Sequence, residues 1–328
     1  MNIKILKILL KRFSTSLLTL FLLVSFIFVL IRLSPGNPTD KYVSDKLGNE
    51  LSEKIAERFA LNQPVTEQYF SFITNILKGD FGISYNYRLP VFKVVWEYFS
   101  FTFVFASISF IIQIFLSIFL ALNVVQKQNR KFDRWISNLS LFVYSIPSFV
   151  LGVALIYLFA VHLNLFPISG LKSLDSDNLS FFTKLFDEFL HLILPLITLS
   201  AAGVALFYKY IKESMDEVVQ QAFVVNLRAS GINEKKILWK HVLPNALRPL
   251  ISVAGVELGI LMGGALITEV IFSLPGMGRL AVESVLTRDY PLVIACVFTA
   301  GTAIIIANFI ADVVKLKVDK RLIEGILN

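Results

Sequence analysis

Residues 98–126 read YFSFTFVFASISFIIQIFLSIFLALNVVQ, without one charged side chain. A helix of about 20 apolar residues crosses the hydrocarbon core of a bilayer, so this stretch is long enough to span a membrane. Working outward from it, five further apolar runs meet the same test. They fall at 13–31, 135–161, 189–208, 249–272 and 290–311. The whole chain agrees: 55% of 328 residues are hydrophobic, 17% are charged, 30 are phenylalanine, and mean hydropathy is +0.70. A soluble protein of this length has too little interior to hide that much apolar surface. The expected fold is therefore an all-α integral membrane protein with six transmembrane helices.

Charge sets the orientation. The tail 1–12, the short loop 127–134 and the segment 209–248 are basic, as is the tail 312–328 with Lys315, Lys317, Lys320 and Arg321. Together they hold most of the 31 Lys and Arg, which places both termini in the cytoplasm. The segments 32–97, 162–188 and 273–289 are then extracellular. The run 13–31 is too long for the apolar part of a signal peptide. It precedes Arg32-Leu-Ser-Pro-Gly-Asn-Pro38 and no small-residue cleavage site, so it is expected to remain as the first span. An amphipathic helix is expected around Leu51–Phe59. Pro147 and Pro195 are expected to kink their spans.

Several function classes are excluded. The net charge of +7 reports the positive-inside bias, so nucleic acid is not an expected partner. His162, His191 and His241 are far apart and Cys296 is the single cysteine, so no metal site is expected. No Ser-His-Asp arrangement is present, and no catalytic residue is assigned. No G-x-x-x-x-G-K-[ST] loop occurs, so any ATP must be bound elsewhere.

Residues 209–248 are the most informative polar segment. Gln221 to Ala229 has helical character and ends near Ser230-Gly231, where glycine suits a terminating turn. Asn233 is a good N-cap with Glu234 in the following turn. Glu234 to Val242 then alternates charged and apolar faces at helical spacing, and Leu243-Pro244 is expected to stop that helix. Two short amphipathic helices joined at a glycine either dock in a partner's groove or lie at the membrane interface.

Gly231, nine residues, then His241-x-Leu243-Pro244 resembles the "EAA" coupling motif of bacterial ABC importer permeases. Further elements resemble the first permease subunit of the dipeptide, oligopeptide and nickel importers, and they come in that family's order. They are Arg32–Pro38, Gly79-Asp-Phe-Gly82, Ser145-Ile-Pro-Ser-Phe149, Phe166-Pro-Ile-Ser-Gly170 and His191-Leu-Ile-Leu-Pro195. Gly263-Gly264, Glu269-Val-Ile-Phe272, Pro275-Gly-Met-Gly-Arg279, Arg288-Asp-Tyr-Pro291 and Asp312 with Asp319-Lys-Arg321 follow. The chain departs from the pattern where Val225-Asn-Leu227 replaces Glu-Ala-Ala, where Lys209 and Lys212 replace two arginines, and where Ala222-Phe223 replaces Asp-Tyr. Its Ala229-Ser-Gly231 also replaces Ala-Lys-Gly.

The resemblance implies the type I ABC importer transmembrane architecture, with a permease core at 98–311, in the cell membrane of a bacterium. It implies a homologous second permease subunit, two ATP-binding ABC subunits, an extracellular substrate-binding protein and surrounding membrane lipid. ATP and Mg would be bound by the partner ATPase subunits and no cofactor by this chain. Contact with the ATPase would fall on Leu227, Arg228, Ala229, Ser230, Gly231, His241, Leu243 and Pro244. The implied cargo is short peptides, or nickel and its chelates. The extracellular segments 32–97 and 273–289 read as docking sites for the binding protein, and 32–97 reads equally as a plug or gate over the pathway.

Glu257 lies inside the fifth apolar run, where a carboxylate is costly and by default faces the bundle interior, a water-filled path or a partner. Two readings stay open: contact with a cationic group of the cargo, or a protonated carboxyl hydrogen-bonded between helices. An ion-coupled secondary transporter is the alternative to the ABC permease, and only Glu257 points to it.

Overall fold

The structure, a computed structural model, describes residues 3–33, 63–127, 129–176 and 180–318. The helix expected around Leu51–Phe59, most of Arg32–Pro38 and the tail with Lys320 and Arg321 lie outside the described residues. Twelve helical segments follow in order among those described: α1 (Ile3–Leu33), α2 (Val65–Leu77), α3 (Val91–Lys127), α4 (Arg130–Ser145), α5 (Ser148–Leu155), α6 (Phe181–Val219), α7 (Ala222–Ala229), α8 (Glu234–Ile237), α9 (Leu243–Met262), α10 (Leu266–Ile271), α11 (Met277–Leu286) and α12 (Tyr290–Val318). Two π-helical stretches adjoin them: Ile156–His162 continues α5, and Leu238–Val242 joins α8 to α9. Among the described residues, five helices are long and apolar enough to cross a membrane, and six if α4 and α5 count as one broken span. The chain is an all-α, multi-pass membrane protein.

The break between α4 and α5 has a local cause. Pro147 disfavours helical geometry at the residue before it, and Ile146 is extended (φ −78°, ψ 124°). The two helices meet at 100°, so the expected kink at Pro147 is a full break. At Pro195, by contrast, α6 runs through without interruption.

The chain divides into two compact units whose boundaries fall inside α3 and α12 and just before α11. In the first unit, residues 1–101 and 276–303, Val24 and Phe28 of α1 pack with Phe72 and Ile76 of α2 and with Ile294 and Phe298 of α12. The Ser25 hydroxyl meets the Tyr69 hydroxyl at 2.7 Å. A second cluster joins Val91, Val94 and Val95 of α3 to Met277 and Leu280 of α11 and to Leu292 and Ala295 of α12. Most other large side chains of α1, such as Leu18, Leu22 and Phe26, are exposed, as lipid-facing residues should be.

Two elements distant in sequence meet at the buried carboxylate of Asp289 in this unit. It accepts hydrogen bonds from the Ser84 hydroxyl (2.5 Å) and the Asn86 backbone N–H (3.1 Å). Its other oxygen accepts from the Leu292 N–H at 3.4 Å, in the first turn of α12. One side chain therefore caps a helix and pins the loop that follows Gly79–Gly82.

In the second unit, residues 102–275 and 304–328, the core gathers Phe207, Ile211 and Met215 of α6 with Ala121 and Leu122 of α3 and Leu243, Ala246 and Leu250 of α9. Two pairs of buried polar side chains meet across elements: Ser109 and Ser200 at 2.9 Å, and Thr102, whose hydroxyl donates to buried Glu269 at 2.8 Å. Glycines permit the closest approaches. A Cβ on Gly255 would lie 2.1 Å from the Ala311 Cβ, one on Gly259 would lie 3.5 Å from Ile304, and one on Gly263 would lie 3.2 Å from the same residue. Gly255, Gly259 and Gly263 recur every fourth position, so one face of α9 packs on the C-terminal part of α12. The loop motif at 166–170 is tied in by the Gly170 N–H, which donates to the Phe272 carbonyl at 2.8 Å.

Candidate functional site

The hairpin at 221–244 is built from local chemistry. α7 ends at Ser230, and Gly231 takes φ +74°, a left-handed geometry that suits glycine. The Gly231 N–H bonds the Arg228 carbonyl (2.9 Å), and the Ile232 N–H bonds the Leu227 carbonyl (3.2 Å). This is a Schellman termination, and Leu227 and Ile232 pack on one apolar core beneath it, as that motif expects. Asn233 then caps α8, its side chain accepting from the Lys235 N–H at 2.9 Å. Arg228 clamps Glu234 through two hydrogen bonds, of 3.0 and 2.6 Å, across the turn. That pairing holds the guanidinium above its ordinary pKa.

Val224, Ile237, Leu238 and Val242 are buried and anchor the hairpin to the second unit. Its outer surface carries exposed Val225 and Trp239 beside Lys235, Lys236 and Lys240. Both apolar and basic side chains are thus exposed on the hairpin.

The expected stop at Leu243-Pro244 does not occur. The Leu243 N–H bonds the Leu238 carbonyl at five-residue spacing, and the helix runs on into α9 with Pro244 in its first turn. Proline lacks only an N–H that this position does not need. The wider π turn brings the chain into α9 without a break. The eight hairpin residues thus split. Leu227 to Gly231 surround the turn with Arg228, Ala229, Ser230 and Gly231 exposed, while His241 is partly buried, Leu243 is buried and exposed Pro244 leads into α9.

Beside the hairpin lies a charged group that sequence reasoning missed. Lys212 sits between Asp133 (3.2 Å) and Asp216 (2.9 Å), tying the first turn of α4 to α6. These residues, with Arg130, Arg228 and Glu234, line a cavity of about 230 Å³. Asp216 is legible as the i+4 partner of Lys212. Asp133 is 79 positions away, and no local pattern announces it.

Glu257 lies on the side of α9 opposite Gly255 and Gly259, partly buried, with Val256 and Ile260 exposed beside it. No hydrogen bond or ion pair joins it to any described residue. Glu269, by contrast, is fully buried and paired with Thr102. Among the described residues, no three His, Cys, Asp or Glu side chains come together as a metal-holding group.

Comparison with known proteins gives consistent matches. Residues 113–324 match the family described as binding-protein-dependent transport system inner membrane component, and residues 5–106 match the N-terminal region model of the same systems. The oligopeptide transport system permease protein AppB of Bacillus subtilis is 31% identical over 296 residues, 90% of this chain and 92% of its own. OppB of Haemophilus influenzae, also an oligopeptide transport system permease protein, is 31% identical over 97% of this chain and 99% of its own. The glutathione transport system permease protein GsiC of Escherichia coli is 29% identical over 92% and 94%. Among solved structures, the inward-facing MetNI methionine ABC transporter is similar in fold, with TM-score 0.50 and 18% identity. The match covers 70% of this chain and 96% of that one.

Proposed function

The chain belongs to the binding-protein-dependent transport system inner membrane components, the permeases of ABC importers, and from that premise we propose that it forms half of a translocation pathway for short peptides. The observation that carries the peptide reading is end-to-end similarity to two oligopeptide permeases and a glutathione permease. None of these three is named for nickel, the other expected cargo. An ion-coupled secondary transporter is not favoured.

In this reading a homologous second permease completes the pathway, and an extracellular binding protein delivers the peptide. The chain carries no phosphate loop of its own, so two separate ABC subunits hold ATP and Mg. They dock on the 209–248 hairpin, on the cytoplasmic side, through Leu227 to Gly231 and the surface around His241, Leu243 and Pro244. The exposure of Val225, Trp239 and the lysines at 235, 236 and 240 supports that contact, with helix-in-groove docking as its physics. Closure of the ATPase pair on ATP then draws the hairpins together. Because the hairpin is anchored in the same core as α6 and α9, its displacement carries those helices as a rigid body.

The test is co-purification of the tagged chain in mild detergent. Recovery of a second permease and two ATPase chains, with ATPase activity stimulated by peptide-loaded binding protein, is the expected result. A chain that purifies alone and supports uptake without ATP would overturn the proposal.

A further inference from the structure

Glu257 is the carboxylate of α9, and no described residue bonds or pairs with it. The glycine face of the helix, Gly255 and Gly259, is taken by the C-terminal part of α12 through Ala311 and Ile304. Leu250 and Leu261, one or two turns to either side, are buried. Glu257 stands two residues from each glycine, about 200° around the helix. It borders a face on which Val256 and Ile260 remain open. Several other carboxylates of the second unit are held by partners: Glu269 by Thr102, Asp133 and Asp216 by Lys212, Glu234 by Arg228. A carboxylate within an apolar span is tolerated where it meets a polar path or an opposite charge. No described residue supplies that charge.

We infer that the Glu257 carboxylate receives a positively charged group of the passing cargo, so that the permease favours cationic over charge-neutralised peptides; this rests on the peptide-permease reading above. The side chain acts by charge complementarity at an otherwise apolar wall. It lowers the cost of bringing an ammonium group into a region of low dielectric.

The experiment uses the full complex with its binding protein in proteoliposomes, and compares uptake of a lysine-containing tripeptide with its Nε-acetyl-lysine counterpart. Because one binding protein delivers both peptides to every variant, its own preference cancels between variants. Glu257→Gln is expected to lower the lysyl-to-acetyl-lysyl ratio of kcat/KM by about tenfold, as removal of one member of a desolvated charge pair does. Glu257→Asp, which keeps the charge, is expected to stay within about twofold of wild type by the same reasoning. An unchanged ratio in an active Glu257→Gln complex overturns the inference. So does a Glu257→Gln chain that no longer co-purifies with the second permease, since the carboxyl would then be holding a neighbour. Uptake of neither peptide by the wild-type complex sinks the peptide reading itself and is distinguishable from both results.

Discussion

Gly231 in the hairpin and Gly255 in the α9–α12 seam are the same residue type kept for different physical reasons. Around Gly231 a Cβ would meet nothing within 4 Å, and what matters is the backbone angle of +74°. At Gly255 the angle is ordinary and space is the constraint, because the Ala311 Cβ already occupies the place a side chain would take. The turn of the hairpin is assembled from neighbours in sequence and is exposed. The seam joins residues more than forty positions apart and is internal. A substitution in the first should therefore disturb communication more than folding, and a substitution in the second should do the reverse.

The largest expected effect tests the seam. Gly255→Leu forces α9 away from α12 and should cost about 3 kcal/mol, the upper range for overpacking. Thermal unfolding of the purified protein in detergent should show a clearly lowered Tm, and an unchanged Tm would mean the helices do not meet there. Asp289→Ala extends the same logic to the first unit, leaving Ser84 and the Asn86 N–H without their buried acceptor. A loss of about 2 kcal/mol is expected, again read as a lowered Tm.

Gly231→Asp breaks the comparison if it behaves like Gly255→Leu. Its local cost should be about 1 kcal/mol, the penalty for a side chain in the left-handed region. Membrane insertion should be intact while substrate-stimulated ATPase activity is lost. Normal transport by this variant would remove the hairpin from the coupling path. The smallest effect belongs to Arg228→Ala. The Arg228–Glu234 pair is more than a third exposed on both sides, so about 0.5 kcal/mol is expected. The Tm difference from wild type should shrink further at high salt.

Much of the hairpin was legible in the chain itself. Ser230-Gly231, Asn233 and Glu234 are turn and cap signals whose partners lie within a few residues, so the pattern and the geometry carry the same information. Leu243-Pro244 misled because proline is a stop signal only where its N–H is needed, and a π turn removed that need. The break at Pro147 was visible as a proline within a span. Its 100° angle was not visible, since packing of α4 and α5 on their neighbours sets it. The glycines at 255, 259 and 263 announce a close helix approach by their period of four, but not which helix approaches. Lys212 with Asp133, and Ser84 with Asp289, left no mark in local sequence.

Composition and local pattern suffice to show a chain of apolar helices for a membrane, with a basic hairpin between the fourth and fifth runs. Those properties depend on solvent transfer and on short-range backbone chemistry, and both are written residue by residue. Which faces of the helices are taken and which are left over is set by the packing of distant segments. That question includes whether Glu257 finds a partner within its own chain. Packing depends on shape and proximity between distant segments, and a carboxylate's partners are known only once every neighbouring surface is in place.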